Sequence, residues 1–381
     1  MSASGLVIEP AASSKQRMEF IKFPFWLYSQ QLKDPNWVPP LIMDRKDLLN
    51  PEKNPFFAHS EAEFFLARRN GQVVGTIAAI LNNNHNTTHG EKTGFFGLFE
   101  CVEDYAVAEA LLGKARDWVK AKGMDRLRGP LSMDINGEIG LLIDGFDGPP
   151  VILMTYNPRY YEGFMERLGF AKAKDIHAYT LKVQDFEANL PEKVVRVAKK
   201  MQSRHNIVVR PLDLKHFDEE IAKIKVVYDE AWAKNWGDVA MTDAEFRKMA
   251  YDLKLIMDPG LVYVAEIGGK VVGVSVGIPD ANQILIHVNG RLLPFGWLKL
   301  LWYKRKVKTM RLLIMGVLEE HRLKGIDALF YLATAETAMP AGYIDCEMSW
   351  ILEDNYKIRR GIEALGGRVY RTYRIYDLAL A

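Results

Sequence analysis

Apolar and polar positions alternate most clearly in two stretches, FFLARRNGQVVGTIAAI at residues 64–80 and VYVAEIGGKVVGVSVGI at residues 262–278. Each reads as a strand, a two-residue turn carrying glycine, and a second strand rich in β-branched residues, which is a hairpin pattern. The shared order of small, polar and VVG positions marks a duplicated unit. Each copy is followed at a distance by an amphipathic helix ending in Leu-Gly and then a strand, at residues 161–183 and 358–378. Glycine just past a helix end is the expected cap, because it adopts the left-handed conformation without a Cβ clash.

Between the copies lies a polar segment with Pro191, a helix and a short strand. The boundary is expected near residue 185, giving α+β domains at 1–185 and 186–381, each a mixed, mostly antiparallel sheet flanked by helices. Residues 34–63, rich in proline, asparagine and aromatics, read as an ordered irregular excursion with no assigned role.

Late in the chain, the apolar run TMRLLIMGV has strand character and ends at Val317. Beyond Gly325, the residues Ile326, Leu329, Phe330 and Ala333 recur at helical spacing. A strand-to-helix connection with glycine at the helix start offers unpaired N–H groups and the positive end of the dipole to an anion. An ordinary solvated turn shaped by Gly325 is the other reading of these residues.

Composition narrows the picture. Among 381 residues, 50 Lys plus Arg nearly balance 48 Asp plus Glu, so no global field draws the chain to nucleic acid. Two cysteines, Cys101 and Cys346, supply neither a disulfide framework nor a thiolate metal cage, so no metal is expected and a reducing cytoplasm fits. No cleaved signal or spanning segment is expected, since no run of eighteen uncharged apolar residues occurs.

The order hairpin, strand, loop, helix, strand and helix resembles the GNAT family of coenzyme A-dependent N-acyltransferases, whose pyrophosphate loop reads Arg/Gln-x-x-Gly-x-Gly/Ala. Arg322, Gly325 and Asp327 occupy those positions, with Leu323, Lys324 and Ile326 between them, and Asp327 departs from the pattern. Asn355 and Leu365-Gly366 match the later helix, where a tyrosine often found in the family is Ile362 here. The resemblance implies tandem GNAT-like domains with acyl-CoA on the second. Met315 to Val317 would supply backbone donors near a splayed strand. In the first half the corresponding slot carries Glu100, Glu103 and Asp104, which would repel a pyrophosphate, so that half is expected to shape the substrate.

Forming an amide from a thioester requires a neutral amine, a general base, donors for the tetrahedral oxyanion and a thiolate leaving group. Glu347, flanked by apolar strand residues, is the first choice for the base. It also reads as a salt-bridged or edge-exposed glutamate. Glu353 is a weaker choice. His287, on strand-like alternation, is a second proton carrier or a hydrogen-bonded core group. Tyr356 and Tyr373 could supply an acid or simply pack. Asn235, Trp236 and Gly237 form an acceptor loop or a packed turn before a helix starting at Thr242.

Residues 290–313 combine Trp297, Trp302 and several Leu and Phe with Lys304, Arg305 and other lysines. Apolar residues on nearly every face beside a basic cluster suit a helix inserted at an anionic membrane surface, or a core helix trailing into a basic turn. From about Phe23 to Tyr376 the chain also resembles a bacterial group that includes the bacterial ceramide synthases, through KNPFFAHSEAEFFLA, NGEIGLLIDGFDGPP and SWILEDN. That resemblance implies transfer from a long-chain acyl-CoA to the amine of a membrane-resident sphingoid base, with peripheral contact at the cytoplasmic face. N-acylation or aminoacylation of a soluble amine, and a non-catalytic acyl-CoA-binding protein, are the alternatives.

Overall fold

The computed structural model describes residues 5–292, 296, 298–299, 302 and 306–380. These form two compact units. The first comprises residues 1–176, 284–302 and 371–381, and the second residues 177–283 and 303–370.

In the first unit, strands β1 (Leu6–Pro10), β2 (Ser60–Arg69), β3 (Gln72–Asn82), β4 (Thr93–Cys101) and β5 (Arg126–Gly129) lie side by side in that order. All pairs are antiparallel except β4 with β5. The helix Tyr105–Ala121 covers the sheet with Val107, Ala108, Leu111, Leu112, Ala115 and Val119, a stripe at helical spacing that joins the core. Burying each of its larger aliphatic side chains stabilises the unit by roughly 1.5–3 kcal/mol. Short strands β6 (Leu131–Ser132) and β7 (Asp134–Ile139) pair with each other, and β8 (Leu141–Asp144) follows. Strand β9 (Ala171–Lys182) closes the first half of the sequence.

The second unit orders β10 (Val208–Pro211), β11 (Val262–Ile267), β12 (Lys270–Pro279), β13 (Thr309–Val317) and β14 (Asp345–Leu352). Here the pairing is antiparallel except for β13 with β14. Helix Ile326–Ala338 packs on one face, where a Cβ on Gly273 would lie 3.2 Å from Ile326. Helix Phe217–Trp232 packs on the other, where a Cβ on Gly316 would lie 2.4 Å from the Trp232 ring.

The duplicated hairpins are β2–β3 and β11–β12. Their turn residues Asn70-Gly71 and Gly268-Gly269 all have positive φ, as two-residue turns between twisted strands require. Both hairpins shift register at the same place, between Ala67 and Arg68 and between Ala265 and Glu266. The Leu-Gly endings follow helices Tyr160–Arg167 and Tyr356–Ala364, with Gly169 and Gly366 left-handed.

The partition differs from one division near residue 185. The chain enters the second unit within β9, at His177, and re-enters the first at Arg371, within β15 (Arg368–Ala379). The physical reason is the open edge of β5, which needs a partner strand. The C-terminal half of β15 supplies it, with Tyr376 opposite Gly129 and Ala379 opposite Arg126. Arg128 clamps that join through a two-pronged ion pair with Asp377, at 2.7 and 2.9 Å. A second correction concerns residues 284–290, expected to be a strand. They form a short helical turn, Asn282–Leu285, and a further turn, because their apolar residues face the body of the first unit while His287 is exposed.

Candidate active site

Parallel pairing of β13 with β14 runs only from Thr309↔Asp345 to Leu312↔Met348, while β13 continues to Val317 and β14 to Leu352. The two strands therefore part company at Leu312. A register shift against β12 falls at the same level, between Val276 and Gly277, so Leu313 bulges out. Beyond the bulge, the Leu318 amide donates to the Val272 carbonyl of β12 at 2.9 Å. Amides along a strand alternate in direction, so those of Met315 and Val317 turn away from β12, toward the gap left by β14. The Val317 carbonyl points the same way and accepts from Arg322 Nε at 3.2 Å. Two N–H groups aimed into one opening can stabilise a developing oxyanion.

The connection after β13 contains the short turn Glu319–His321 and ends at Gly325, whose φ of 73° makes it the left-handed N-cap of helix Ile326–Ala338. No side chain caps that helix, which leaves the amides at its start for an anion. A Cβ on Gly325 would come within 2.9 Å of the Ala198 Cβ, so glycine is needed here for conformation and for packing under helix Glu192–His205. Arg322 and Lys324 bring positive charge. Leu323 is 99% exposed with φ of 70°, and Asp327 stands exposed in the first helical turn. This donor set fits a diphosphate, with Asp327 in the first helical turn and Glu319 and Glu320 at the start of the connection carrying the opposite sign.

Arg311 and Glu347 face each other in register just before the strands separate. Both are buried, with Arg311 Nε 3.3 Å from Glu347 Oε2. Asn355 caps helix Tyr356–Ala364 by accepting from the Ile358 amide at 3.4 Å. Tyr356 is exposed at the start of that helix, and Ile362 is buried in the core. Glu353 offers its carbonyl to Arg359, 2.6 Å away. Glu347 and Tyr356 thus belong to the second unit, whereas His287 and the buried Tyr373 belong to the first. Residues 235–238 form turns, and Thr242 begins helix Asp243–Lys254 with a reciprocal cap from Glu245.

Trp302 is 71% exposed, and Leu298 and Lys299 are exposed with it. Trp297, Lys304 and Arg305 lie outside the described residues. Among the described residues no helix is long and apolar enough to cross a membrane.

The first unit repeats the parting of strands. Parallel β4–β5 pairing ends at Phe95↔Arg128 while β4 runs on to Cys101, with a register shift against β3 between Thr76 and Ala78. Here the connection to the next helix is short, and Asp104 fills the helix start, accepting from the Ala106 amide at 2.9 Å and from Arg69 at 2.7 Å. A carboxylate already holds the place an anion would take. Sequence reasoning missed what stands beside it. Glu100 accepts hydrogen bonds from Tyr28 and Tyr161, and burial pushes its pKa up to about 8. The available signal was a single carboxylate inside the apolar strand FFGLFEC, the same signal that drew attention to Glu347.

No model of a known protein family matches the chain. A protein of Caulobacter vibrioides (strain NA1000 / CB15N) named bacterial ceramide synthase is 38% identical over 382 residues, covering 98% of each chain. The chain belongs to the bacterial ceramide synthase family. Escherichia coli protein YghO is 36% identical over 366 residues, 94% of this chain and 91% of the other. Among solved structures, a tandem GNAT protein from the clavulanic acid biosynthesis pathway superimposes with a TM-score of 0.59 at 14% identity, covering 98% of each chain. A GCN5-related N-acetyltransferase from Sphaerobacter thermophilus gives 0.54 at 12% identity, over 100% of this chain and 97% of the other. The fold of this family member is α+β, two GNAT domains in tandem, and the protein is an N-acyltransferase.

Proposed function

We propose that this family member transfers a long-chain acyl group from acyl-CoA to the amine of a sphingoid base. The observation that carries the reading is end-to-end identity of 38% with a relative named ceramide synthase. The parted strands and uncapped helix start of the second unit support it. In this reading the coenzyme A diphosphate lies against the amides that begin at Ile326, with Gly325 leaving room and Arg322, Leu323 and Lys324 forming the wall. The positive end of the helix and the two cations offset its charge. The amides of Met315 and Val317 receive the thioester oxygen as the carbonyl becomes tetrahedral. The neutral amine forms the new C–N bond, the C–S bond breaks, and coenzyme A leaves as the thiol with the amine's proton.

Asn355 keeps its role as helix cap and fixes the turn that follows β14. Glu347, Tyr356 and His287 remain the proton carriers to test, with Glu347 held in its ion pair to Arg311. The exposed Trp302, with Trp297, Lys304 and Arg305, gives the protein peripheral contact with an anionic membrane on its cytoplasmic side, where a sphingoid base resides.

The test is mass spectrometry of products after mixing purified protein with a pool of acyl-CoAs, sphingoid bases and soluble amines. A new long-chain N-acyl product with one equivalent of thiol released supports the reading. Acylation confined to soluble amines in the same pool overturns it.

A further inference from the structure

The Glu100 cluster is built from segments the mechanism above does not use. Tyr28, from the turn Leu27–Gln31 after the first helix, donates to Glu100 Oε2 at 2.9 Å. Tyr161 donates to the same oxygen at 2.8 Å, with the Cys101 carbonyl a second acceptor at 3.2 Å, and its hydroxyl in turn accepts from the Cys101 amide at 2.7 Å. The other oxygen, Oε1, makes no hydrogen bond among the described residues and is not sealed from solvent. Arg45, on helix Ile42–Leu48, is engaged by Glu138 of β7 through two bonds of 2.8 and 2.9 Å. Among the described residues Glu100 has no ion pair of its own, although the charge of Arg45 acts on it. Around it stand Trp37, stacked on Tyr28 with ring centroids 5.0 Å apart, and Tyr156, whose hydroxyl donates to Asp34 at 2.7 Å.

The same elements hold the amphipathic segment. The Ile42 amide donates to the Gly290 carbonyl at 3.0 Å, and a Cβ on Gly290 would meet the Phe25 ring at 2.6 Å. Phe25 packs edge-on against Trp37. Gly290 is therefore held by segments next to Tyr28 and Arg45, in the unit that also carries the exposed Leu298 and Trp302. One unit combines the exposed apolar side chains of Leu298 and Trp302 with a carboxylate that has one oxygen anchored and one without a hydrogen bond among the described residues. An alkylammonium, charged at one end and apolar along its length, matches both features.

We propose that the first unit carries the acceptor's ammonium site, in which the open oxygen of Glu100 binds the –NH3+ group and takes its proton. The proposal rests on the reading of the protein as an acyltransferase for a long-chain amine. The step balances: Glu100 releases its own proton to solvent as the cation docks and then takes one from the ammonium, the N–H electron pair stays on nitrogen, and the amine becomes the neutral nucleophile that acyl transfer requires.

Electrostatics supports the assignment. Burial raises the Glu100 pKa to about 8, against the pull of Tyr161, Tyr28 and Arg45 and with a contribution from Glu138. Near neutral pH the empty site therefore holds Glu100 largely protonated, and an arriving cation ionises it. Of the other groups facing it, Tyr28, Tyr161, Tyr160, Tyr156 and Cys101 are all raised by burial and stay protonated, while Arg45 stays charged against Glu138.

The experiment is calorimetry of the full chain at pH 7 with octylammonium, and with octanol as the uncharged control, in two buffers of different ionisation enthalpy. Octylammonium is expected to bind with release of close to one proton per site, and octanol with none. Glu100→Gln, which keeps the acceptor for both tyrosines, should weaken octylammonium binding at least tenfold, abolish proton release and leave octanol unchanged. Binding without proton release, or equal binding by Glu100→Gln, overturns the proposal, and so does no octylammonium binding at all. Sphingoid-base acylation is read separately, by product mass. A wild-type protein that acylates the base while failing the calorimetric test sinks the Glu100 site alone, and the converse sinks only the choice of acceptor.

Discussion

Arg311 and Glu347 show how a residue's neighbours decide its chemistry. Glu347→Gln removes the carboxylate beside a fully buried guanidinium, and breaking such a pair costs about 3–5 kcal/mol. A marked fall in Tm is the expected result. The double variant Arg311→Met with Glu347→Leu removes both charges at similar volume and should melt close to the wild type. If Glu347 is also the proton acceptor, that folded double variant loses turnover on the order of a hundredfold with acyl-CoA affinity intact. Retained turnover leaves Glu347 a purely structural ion. His85 is the second case. It is buried beside Glu91, His89 and Arg128, and burial lowers its pKa to about 4. The unfolded chain binds its proton below about pH 6.5 while the folded one does not. Stability is thus lost as pH falls from about 6.5 toward 4, by on the order of 2–3 kcal/mol. Thermal melts across that range check this, and His85→Gln should flatten the slope.

At the scale of elements, period and turn chemistry were legible. The matched hairpins, the two Leu-Gly helix ends and the strand-loop-helix around Gly325 all follow from local spacing, because φ preferences and amphipathic periods act over a few residues. The excursion at 34–63 was not legible in purpose. Its Asp34 and Arg45 gain meaning only against Tyr156 and Glu138, far away in sequence, and its Trp37 only against Tyr28, in a separate element. The segment ending at Trp302 carries a prediction at this scale. Leu298→Ala with Trp302→Ala should reduce partitioning onto vesicles rich in anionic lipid by about a hundredfold or more, since burying each large apolar side chain is worth roughly 1.5–3 kcal/mol. Vesicle cosedimentation checks this, and unchanged partitioning removes the segment as a membrane contact.

For the whole molecule, the C-terminal strand matters most. Residues 371–379 complete the sheet of the first unit, although they lie at the other end of the sequence. A fragment ending at residue 185 keeps the β5 edge bare and leaves Arg128 without Asp377. It should fail to show cooperative unfolding, while the same fragment with residues 371–381 fused through a flexible linker should regain it. A cooperative melt of the unextended fragment argues against this account of the unit.

The sequence by itself determined the local plan: duplicated hairpins, helices with their caps, and a glycine placed to open a helix start. Each is set by backbone conformation and by hydrophobic period, which neighbours in the chain decide together. Only the tertiary structure decided that Glu347 meets Arg311, that Glu100 sits among tyrosines, and that the last strand returns to the first unit. These depend on contacts between residues scores of positions apart, where proximity, burial and charge are properties of the folded chain and leave no local pattern to read.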